Sequence, residues 1–285
     1  MAQFNFNSSA QGLDLTNALF LAQVSNLAYQ PLVQIPDQLK TQFGLSQYKQ
    51  FYYEPTDTLA FLASNDTAII LTFRGTELTV LRDWFVDGKD ELIPSVEKGH
   101  IHRGFNEALG FIWNDLFKSL SDLINGADNN LKLWITGHSL GGALAVLAVD
   151  RLTAQHMDVQ GLYTYGQPRV GDQDFVNNFN EKMGGLAFRF VNDGDIVPQV
   201  PYPPGYAHAD AEAFFDNKGT LYTSDIFLHE IISISEDVAL RSLETATSKN
   251  PTGVEDHFMD YYIQKISQNI PEPPDPDPFH RYINS

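Results

Sequence analysis

The chain begins with a helix-like segment followed by three strand-like segments. In residues 13–29 apolar positions recur every three or four residues, and Pro31 marks a stop, so the spacing predicts a helix. Residues 48–53, 58–63 and 67–73 are rich in β-forming side chains, and turn-forming residues separate them. These three runs predict neighbouring strands joined by tight turns.

From residue 104 onward, helical and strand-like segments alternate. Apolar residues keep helical spacing over 104–124, and Gly126 closes that segment. The segments that follow are a strand at 131–136, a helix at 140–152, a strand at 159–165, a helix at 172–182 and a strand at 186–191. Strands that alternate with helices predict an α/β fold with a mostly parallel central sheet and helices on both faces.

The pattern contains no internal repeat and no linker long enough to separate two domains. We therefore expect residues 1–270 to form a single domain, within the size range of α/β domains. The sequence PEPPDPDP opens residues 271–285, and its prolines predict an extended tail.

Composition narrows the classes of partner and of chemistry. The 285 residues carry 36 acidic and 18 basic side chains, and the net charge of −18 disfavours nucleic acid and anionic membranes as partners. There is no cysteine, which excludes disulfides, thiolate metal sites and a cysteine nucleophile. No stretch approaches the roughly 20 apolar residues of a transmembrane helix.

The first eleven residues contain neither lysine nor arginine and no continuous apolar run. They do not have the pattern of a secretory signal peptide, which fits a protein that stays inside the cell, one that leaves by another route, or a chain that has been processed. The sequence therefore predicts no single localisation.

A Gly-x-Ser-x-Gly pattern stands between a predicted strand and a predicted helix. Gly137, Ser139 and Gly141 form it, and this strand-turn-helix context is typical of a nucleophile elbow. We expect Ser139 to be a nucleophile and the amide of Leu140 to be one donor for the oxyanion of acyl transfer. The alternative is a glycine-rich helix start in which the serine is only a cap.

A serine nucleophile needs a histidine base and a carboxylate that orients it, in the chain order Ser, acid, His. The histidines beyond the elbow are His156, His208, His229, His257 and His280. Asp193 and Asp195 follow the strand at 186–191, where α/β sheets place functional loops, and Asp256 adjoins a histidine. The residues alone leave the choice among these groups open.

Several sequence blocks resemble the class 3 lipases, the fungal-type lipase family of the α/β-hydrolase superfamily. They are FRGT (73–76), HRGF (102–105), GHSLGG (137–142), YTYGQPRVGD (163–172) and DIVP (195–198). The blocks occur in the family's order, and the resemblance spans roughly residues 13–265. The family also includes plant phospholipases A1 and feruloyl esterases.

The resemblance implies specific site residues. The family's Asp-x-Val-Pro pattern selects Asp195 as the acid, and the His-x-x-x-Tyr pattern selects His257 as the base. It places the second oxyanion donor at Thr76 and makes His208 structural. His229 remains the main competitor to His257 by spacing alone.

The segment at residues 78–87 is the lid candidate, because the family's lid lies there. Leu78, Leu81 and Phe85 have helical spacing, and Trp84 lies on an adjoining face. Such a short apolar helix could cover the serine in water and open at a lipid surface. The alternative is a fixed structural helix, because Trp84 also resembles a framework position of the family.

Together these features predict a carboxylic ester hydrolase of the triacylglycerol lipase or esterase type, acting on a lipid or other ester, at a lipid–water interface if the lid opens there. The alternatives are a phospholipase A1 or galactolipase, a feruloyl esterase, and an inactive hydrolase-like binding scaffold. No cofactor and no metal are implied, because side chains and backbone amides supply every catalytic group. The aspartate pairs of the sequence are too sparse to predict a calcium site.

Overall fold

An eight-stranded sheet forms the centre of the protein. The computed structural model describes residues 6–76, 91–126, 131–223 and 255–271. Its strands, in chain order, are β1 (Gln47–Tyr53), β2 (Thr58–Ser64), β3 (Ala68–Phe73), β4 (Leu92–Pro94), β5 (His100–His102), β6 (Lys132–His138), β7 (Gly161–Tyr165), β8 (Ala187–Asn192), β9 (Ala211–Phe215) and β10 (Leu221–Thr223).

The order in the large sheet is β1-β2-β3-β6-β7-β8-β9-β10, and β4 and β5 form a separate two-stranded sheet. The five strands from β3 to β9 pair in parallel, whereas β1, β2 and β10 pair antiparallel. The predicted parallel centre is confirmed, and the three early strand predictions are correct to within one residue. Because the inner strands are parallel, their carboxyl ends lie at one edge of the sheet.

Helices cover both faces of this sheet. They are α1 (Leu15–Leu27), α2 (Ile35–Phe43), α3 (Arg103–Gly126), α4 (Leu140–Ala154), α5 (Gln173–Met183) and α6 (Met259–Asn269). One hydrophobic cluster joins α3, α4 and α5 to the sheet, and a second joins α1, α2 and α6 to the opposite face. This arrangement is the α/β-hydrolase fold that the sequence predicts.

Strand β6 shows how the sequence builds the two layers. Leu133 and Ile135 enter the first cluster, whereas Trp134, which alternates with them, enters the second. Successive side chains of a strand point to opposite faces, so a strand in the middle of a covered sheet is apolar throughout.

Helix α2 has no counterpart among the predicted elements. Pro36 lies in its first turn, where the missing amide proton costs nothing, and Gly44 ends it with a φ of 68°. Ile35, Leu39 and Phe43 are its buried residues, at a spacing of four. Its boundaries therefore follow ordinary capping rules.

Among the described ranges, no helix is both long enough and apolar enough to cross a membrane. The predicted lid at 78–87 and residues 272–285 of the predicted tail lie outside the described residues.

Candidate active site

Ser139 lies in a strained turn at the carboxyl end of β6. Its φ of 59° and ψ of −130° place it in a region that residues with a side chain rarely adopt, and α4 begins at the next residue. A Cβ atom on Gly137 would lie 2.3 Å from the carbonyl oxygen of Gly141, and one on Gly141 would lie 2.2 Å from that of Phe73. Only glycine fits at either position, so the sharp turn predicted from the pattern is present.

His257 and Asp195 form a buried pair beside this turn. The His257 Nδ1 atom lies 2.8 Å from Asp195 Oδ2 and 2.9 Å from Oδ1, although the residues are 62 positions apart. Each residue is 2% exposed. A carboxylate can only accept, so Nδ1 carries the proton and leaves Nε2 as the basic nitrogen.

Two further donors hold the Asp195 carboxylate in place. The Val197 amide donates to Oδ1 at 2.9 Å, and the Tyr262 hydroxyl donates to Oδ2 at 2.6 Å. The Tyr262 hydroxyl also accepts from the amide of Asn192, at 3.1 Å. Sequence reasoning did not single out Tyr262, and its only local signal is its place on the apolar face of the helix after His257.

Two of the buried unpaired atoms in the described part of the chain belong to the elbow and to the acid–base pair. Ser139 Oγ and His257 Nε2 form no hydrogen bond with any residue in the described ranges. Hydroxyl and imidazole groups in protein interiors are normally paired, so two unpaired atoms in one site indicate groups that await a substrate.

Gly166 brings the serine strand and the acid–base pair together. The Ser139 amide donates to the carbonyl of Tyr165 at 2.9 Å, and Gly166 follows with a φ of 57°. A Cβ atom on Gly166 would lie 2.7 Å from Asp195 Oδ2 and 2.9 Å from His257 Nδ1. The carboxyl ends of β6, β7 and β8 therefore carry Ser139, Gly166 and Asp195 side by side.

The predicted oxyanion donors lie on either side of the serine. Leu140 is the first residue of α4, where amides lack partners within the helix. Thr76 follows β3, and its neighbour Gly75 packs on the elbow, since a Cβ atom there would lie 3.0 Å from Ser139 Cβ. The structure thus brings together the segments that carry both predicted donors.

A cavity of about 530 Å³ opens beside His257 and Thr76. Tyr29 and Phe258 line it as exposed aromatic residues, and Arg74 lines it as a cation. Arg74 forms an ion pair of 2.5 Å with Asp57, which also lines the cavity, so little uncompensated positive charge faces a bound molecule.

The other candidates lie away from this arrangement. Asp193 is exposed, Asp256 accepts from the side chain of Asn192, and His208 Nε2 donates to the carbonyl of Pro198 at 2.8 Å. Burial, with nearby arginines, holds the pKa of His208 well below its usual value, so this imidazole stays neutral.

His229, His280 and the lid candidates Leu78, Leu81, Trp84 and Phe85 lie outside the described residues.

The chain is similar in sequence and in structure to known lipases. Residues 70–204 match the family model "Lipase (class 3)". A Rhizomucor miehei lipase is 35% identical over 165 residues, which cover 55% of this chain and 44% of that protein. Secreted mono- and diacylglycerol lipase A of Penicillium cyclopium is 32% identical over 178 residues, which cover 60% of this chain and 57% of that protein.

The match thus spans about half the length of these curated relatives. The solved structure of Rhizomucor miehei triacylglyceride lipase superposes with a TM-score of 0.64 at 26% identity, covering 84% of this chain and 96% of that one. The family model covers the elbow, Thr76 and Asp195, and the structural match extends the likeness over most of the fold. The chain is therefore similar to the class 3 lipases over residues 70–204 in sequence and over most of its fold in structure.

Proposed function

We propose that this protein hydrolyses carboxylic esters of lipids, with Ser139 as nucleophile, His257 as general base and Asp195 as the residue that orients His257. One observation carries the proposal: a serine in a strained elbow and a carboxylate-bound histidine each keep a buried reactive atom that no described residue pairs with. That combination serves nucleophilic catalysis and has no evident structural use.

Acylation would start when His257 Nε2 takes the proton of Ser139 Oγ. The oxygen attacks the ester carbonyl carbon, and the carbonyl electron pair moves to the oxygen to give a tetrahedral oxyanion. The amides of Leu140 and Thr76 stabilise that oxyanion. Collapse of the intermediate breaks the carbon–alkoxy bond, and His257 returns its proton to the leaving alcohol.

Deacylation repeats these steps with water. His257 removes a proton from the water, the hydroxide oxygen attacks the acyl-serine, and the second oxyanion collapses to release the carboxylic acid. Ser139 recovers its proton from His257. Asp195 accepts from His257 Nδ1 and stabilises the imidazolium that forms in each half-reaction.

The substrate class rests on the relatives. Proteins similar to this chain are described as triacylglyceride lipase and as mono- and diacylglycerol lipase, which favours acylglycerols as substrates here. The cavity agrees with an uncharged leaving group, because the charge of its arginine is already compensated by Asp57.

The first test is hydrolysis of p-nitrophenyl esters from acetate to palmitate, below and above the solubility limit of each ester. Wild type is compared with Ser139→Ala and with Ser267→Ala, which removes an exposed serine from the last turns of α6. We expect Ser139→Ala to lose turnover and labelling by a fluorophosphonate, and Ser267→Ala to keep both. Turnover that survives in a folded Ser139→Ala protein would refute the proposal.

Substrate comparison then separates the alternatives. Rates on triolein emulsion, dioleoylglycerol, phosphatidylcholine, a galactolipid and methyl ferulate distinguish an acylglycerol lipase from a phospholipase A1, a galactolipase and a feruloyl esterase. A rate that rises when long-chain ester aggregates supports the lid predicted at 78–87. A folded wild-type protein that neither turns over any ester nor reacts with fluorophosphonate is a binding scaffold.

A further inference from the structure

Tyr29 lies far from the predicted triad in the sequence but contacts its surroundings directly. It follows α1 and lines the cavity, and 40% of its surface is exposed. Its hydroxyl is nevertheless enclosed, because it lies 2.7 Å from His138 Nδ1 and packs against Gly75, where a Cβ atom would lie 2.2 Å from it. Burial raises the pKa of this hydroxyl far above its usual value, so it stays protonated.

His138, the residue between Gly137 and Ser139, fixes the direction of these bonds. Its Nε2 atom lies 2.7 Å from the carbonyl oxygen of His257, which can only accept, so Nε2 carries a proton. Burial and the nearby His257 ring hold the pKa of His138 well below its usual value. The neutral ring therefore presents Nδ1 as an acceptor, and the Tyr29 hydroxyl donates to it.

The result is one continuous series of hydrogen bonds. Tyr29 packs against the backbone of Gly75 and donates to His138, and His138 donates to the backbone of His257. It connects the segment that carries Thr76, the elbow that carries Ser139 and the turn that carries the base. These segments have no covalent reason to keep their spacing, since 109 and 119 residues separate the bonded pairs.

Gly75 lies so close to Tyr29 and His138 that a residue with a side chain would not fit in its place. A Cβ atom there would lie 2.2 Å from the Tyr29 hydroxyl and 2.7 Å from the His138 carbonyl oxygen. Because Thr76 follows Gly75, atoms packed this closely around Gly75 also restrict rotation of the next peptide unit. That unit carries the amide we assign to the oxyanion.

We infer that Tyr29 and His138 are positioning residues, which hold the Gly75–Thr76 backbone and the His257 backbone in register with the Ser139 elbow. The inference rests on the proposed function and assigns the two side chains no contact with the reacting atoms. It predicts that losing the Tyr29 hydroxyl weakens binding of the tetrahedral intermediate more than binding of the ester.

The test is Tyr29→Phe, which keeps the ring and removes the hydroxyl. Removal of an oxyanion donor typically costs a factor of 10² to 10³ in kcat, and a displaced donor costs less. We expect kcat on p-nitrophenyl butyrate to fall by about tenfold to a hundredfold with KM changed less than threefold. Affinity for a trifluoromethyl ketone, which forms an oxyanion on Ser139, should fall by a similar factor.

Tyr163→Phe is the matched control. The Tyr163 hydroxyl accepts from a backbone amide, that of Asp14, and donates to the carbonyl of Gly12, both at 2.8 Å. Its loss should lower the melting temperature about as much as Tyr29→Phe does, with kcat and ketone affinity unchanged.

A second pair of variants tests His138 and keeps the test decisive if Tyr29→Phe does not fold. Asparagine at 138 keeps an acceptor near the Nδ1 position for Tyr29, whereas leucine keeps none. We expect His138→Asn to bind the ketone at least fivefold more tightly than His138→Leu.

The outcomes separate the two proposals. An active wild type with Tyr29→Phe within twofold in kcat and ketone affinity overturns the positioning role alone, as does equal affinity of His138→Asn and His138→Leu. A folded wild type that neither hydrolyses esters nor reacts with fluorophosphonate overturns the proposed function, and the positioning role with it.

Discussion

Gly166→Ala should disable catalysis through a single methyl group placed against the acid–base pair. Gly166 has a φ of 57°, and its missing Cβ atom would lie 2.9 Å from His257 Nδ1 and 2.7 Å from Asp195 Oδ2. Both neighbours are buried, so neither can move into solvent.

The structure gives the size of the effect. Carbon and nitrogen atoms reach favourable contact near ~3.5 Å, so His257 Nδ1 would have to move by about 0.6 Å. A displacement of about 1 Å can cost a factor of about 10² in rate, so we expect kcat to fall on the order of tenfold or more. The left-handed backbone adds a cost of about 1–2 kcal/mol in stability.

Gly185→Ala provides the control for the backbone term. Gly185 has a φ of 78°, but no described residue other than its chain neighbours has an atom within 4 Å of the position its Cβ would take. It should lose similar stability in urea unfolding while keeping wild-type kcat on p-nitrophenyl butyrate. If Gly166→Ala keeps wild-type kcat, or if Gly185→Ala loses as much, the steric argument is wrong.

Three further predictions concern buried polar groups and strain. Tyr262→Phe leaves the Asn192 amide without its acceptor and Asp195 without one donor, so the free energy of unfolding in urea should fall by about 1–3 kcal/mol. The kcat should fall as well. An unchanged kcat would mean that the remaining donors suffice to hold Asp195. Burial raises the pKa of Asp150 from 3.8 to about 6, so the folded state binds the carboxyl proton more tightly than the unfolded state does, and the free energy of unfolding of wild type falls by up to about 3 kcal/mol as pH rises from 4 to 6. Asp150→Asn should therefore be more stable than wild type at pH 8 but not at pH 4. An equal difference in stability at both pH values would contradict this prediction. Ser139→Gly relieves the strained φ and should be about 1 kcal/mol more stable than Ser139→Ala in thermal unfolding, while neither variant turns over ester. A glycine variant that is less stable than the alanine variant would show that the turn holds no strain.

Local patterns were sufficient for most of the framework. The strands β1, β2 and β3 were predicted to within a residue because turn residues separate runs of β-forming residues there. The turn at Ser139 was predictable because its steric requirement falls on glycines two positions away.

The rest of the site depends on contacts between distant residues. Asp193 and Asp195 look alike in sequence, and only the path of the loop buries the second beside His257 while it leaves the first exposed. Tyr29 and Tyr262 carry no local signal that distinguishes them from ordinary core aromatics. Their hydroxyls gain a role only after β3, β6 and α6 have come together.

The pairing of α6 with α1 has a consequence for biosynthesis. Tyr262 and Ile266 of α6 share a hydrophobic cluster with Phe20 of α1, so the early helix keeps part of its apolar surface uncovered until α6 is made. His257 immediately precedes α6 and follows Ser139 by 118 residues, which takes a ribosome roughly 6–24 s at typical rates of translation. During that interval the nascent chain contains Ser139 but not yet His257. Catalytic activity and burial of the hydrophobic cluster between α1 and α6 should therefore arise in the same late folding step.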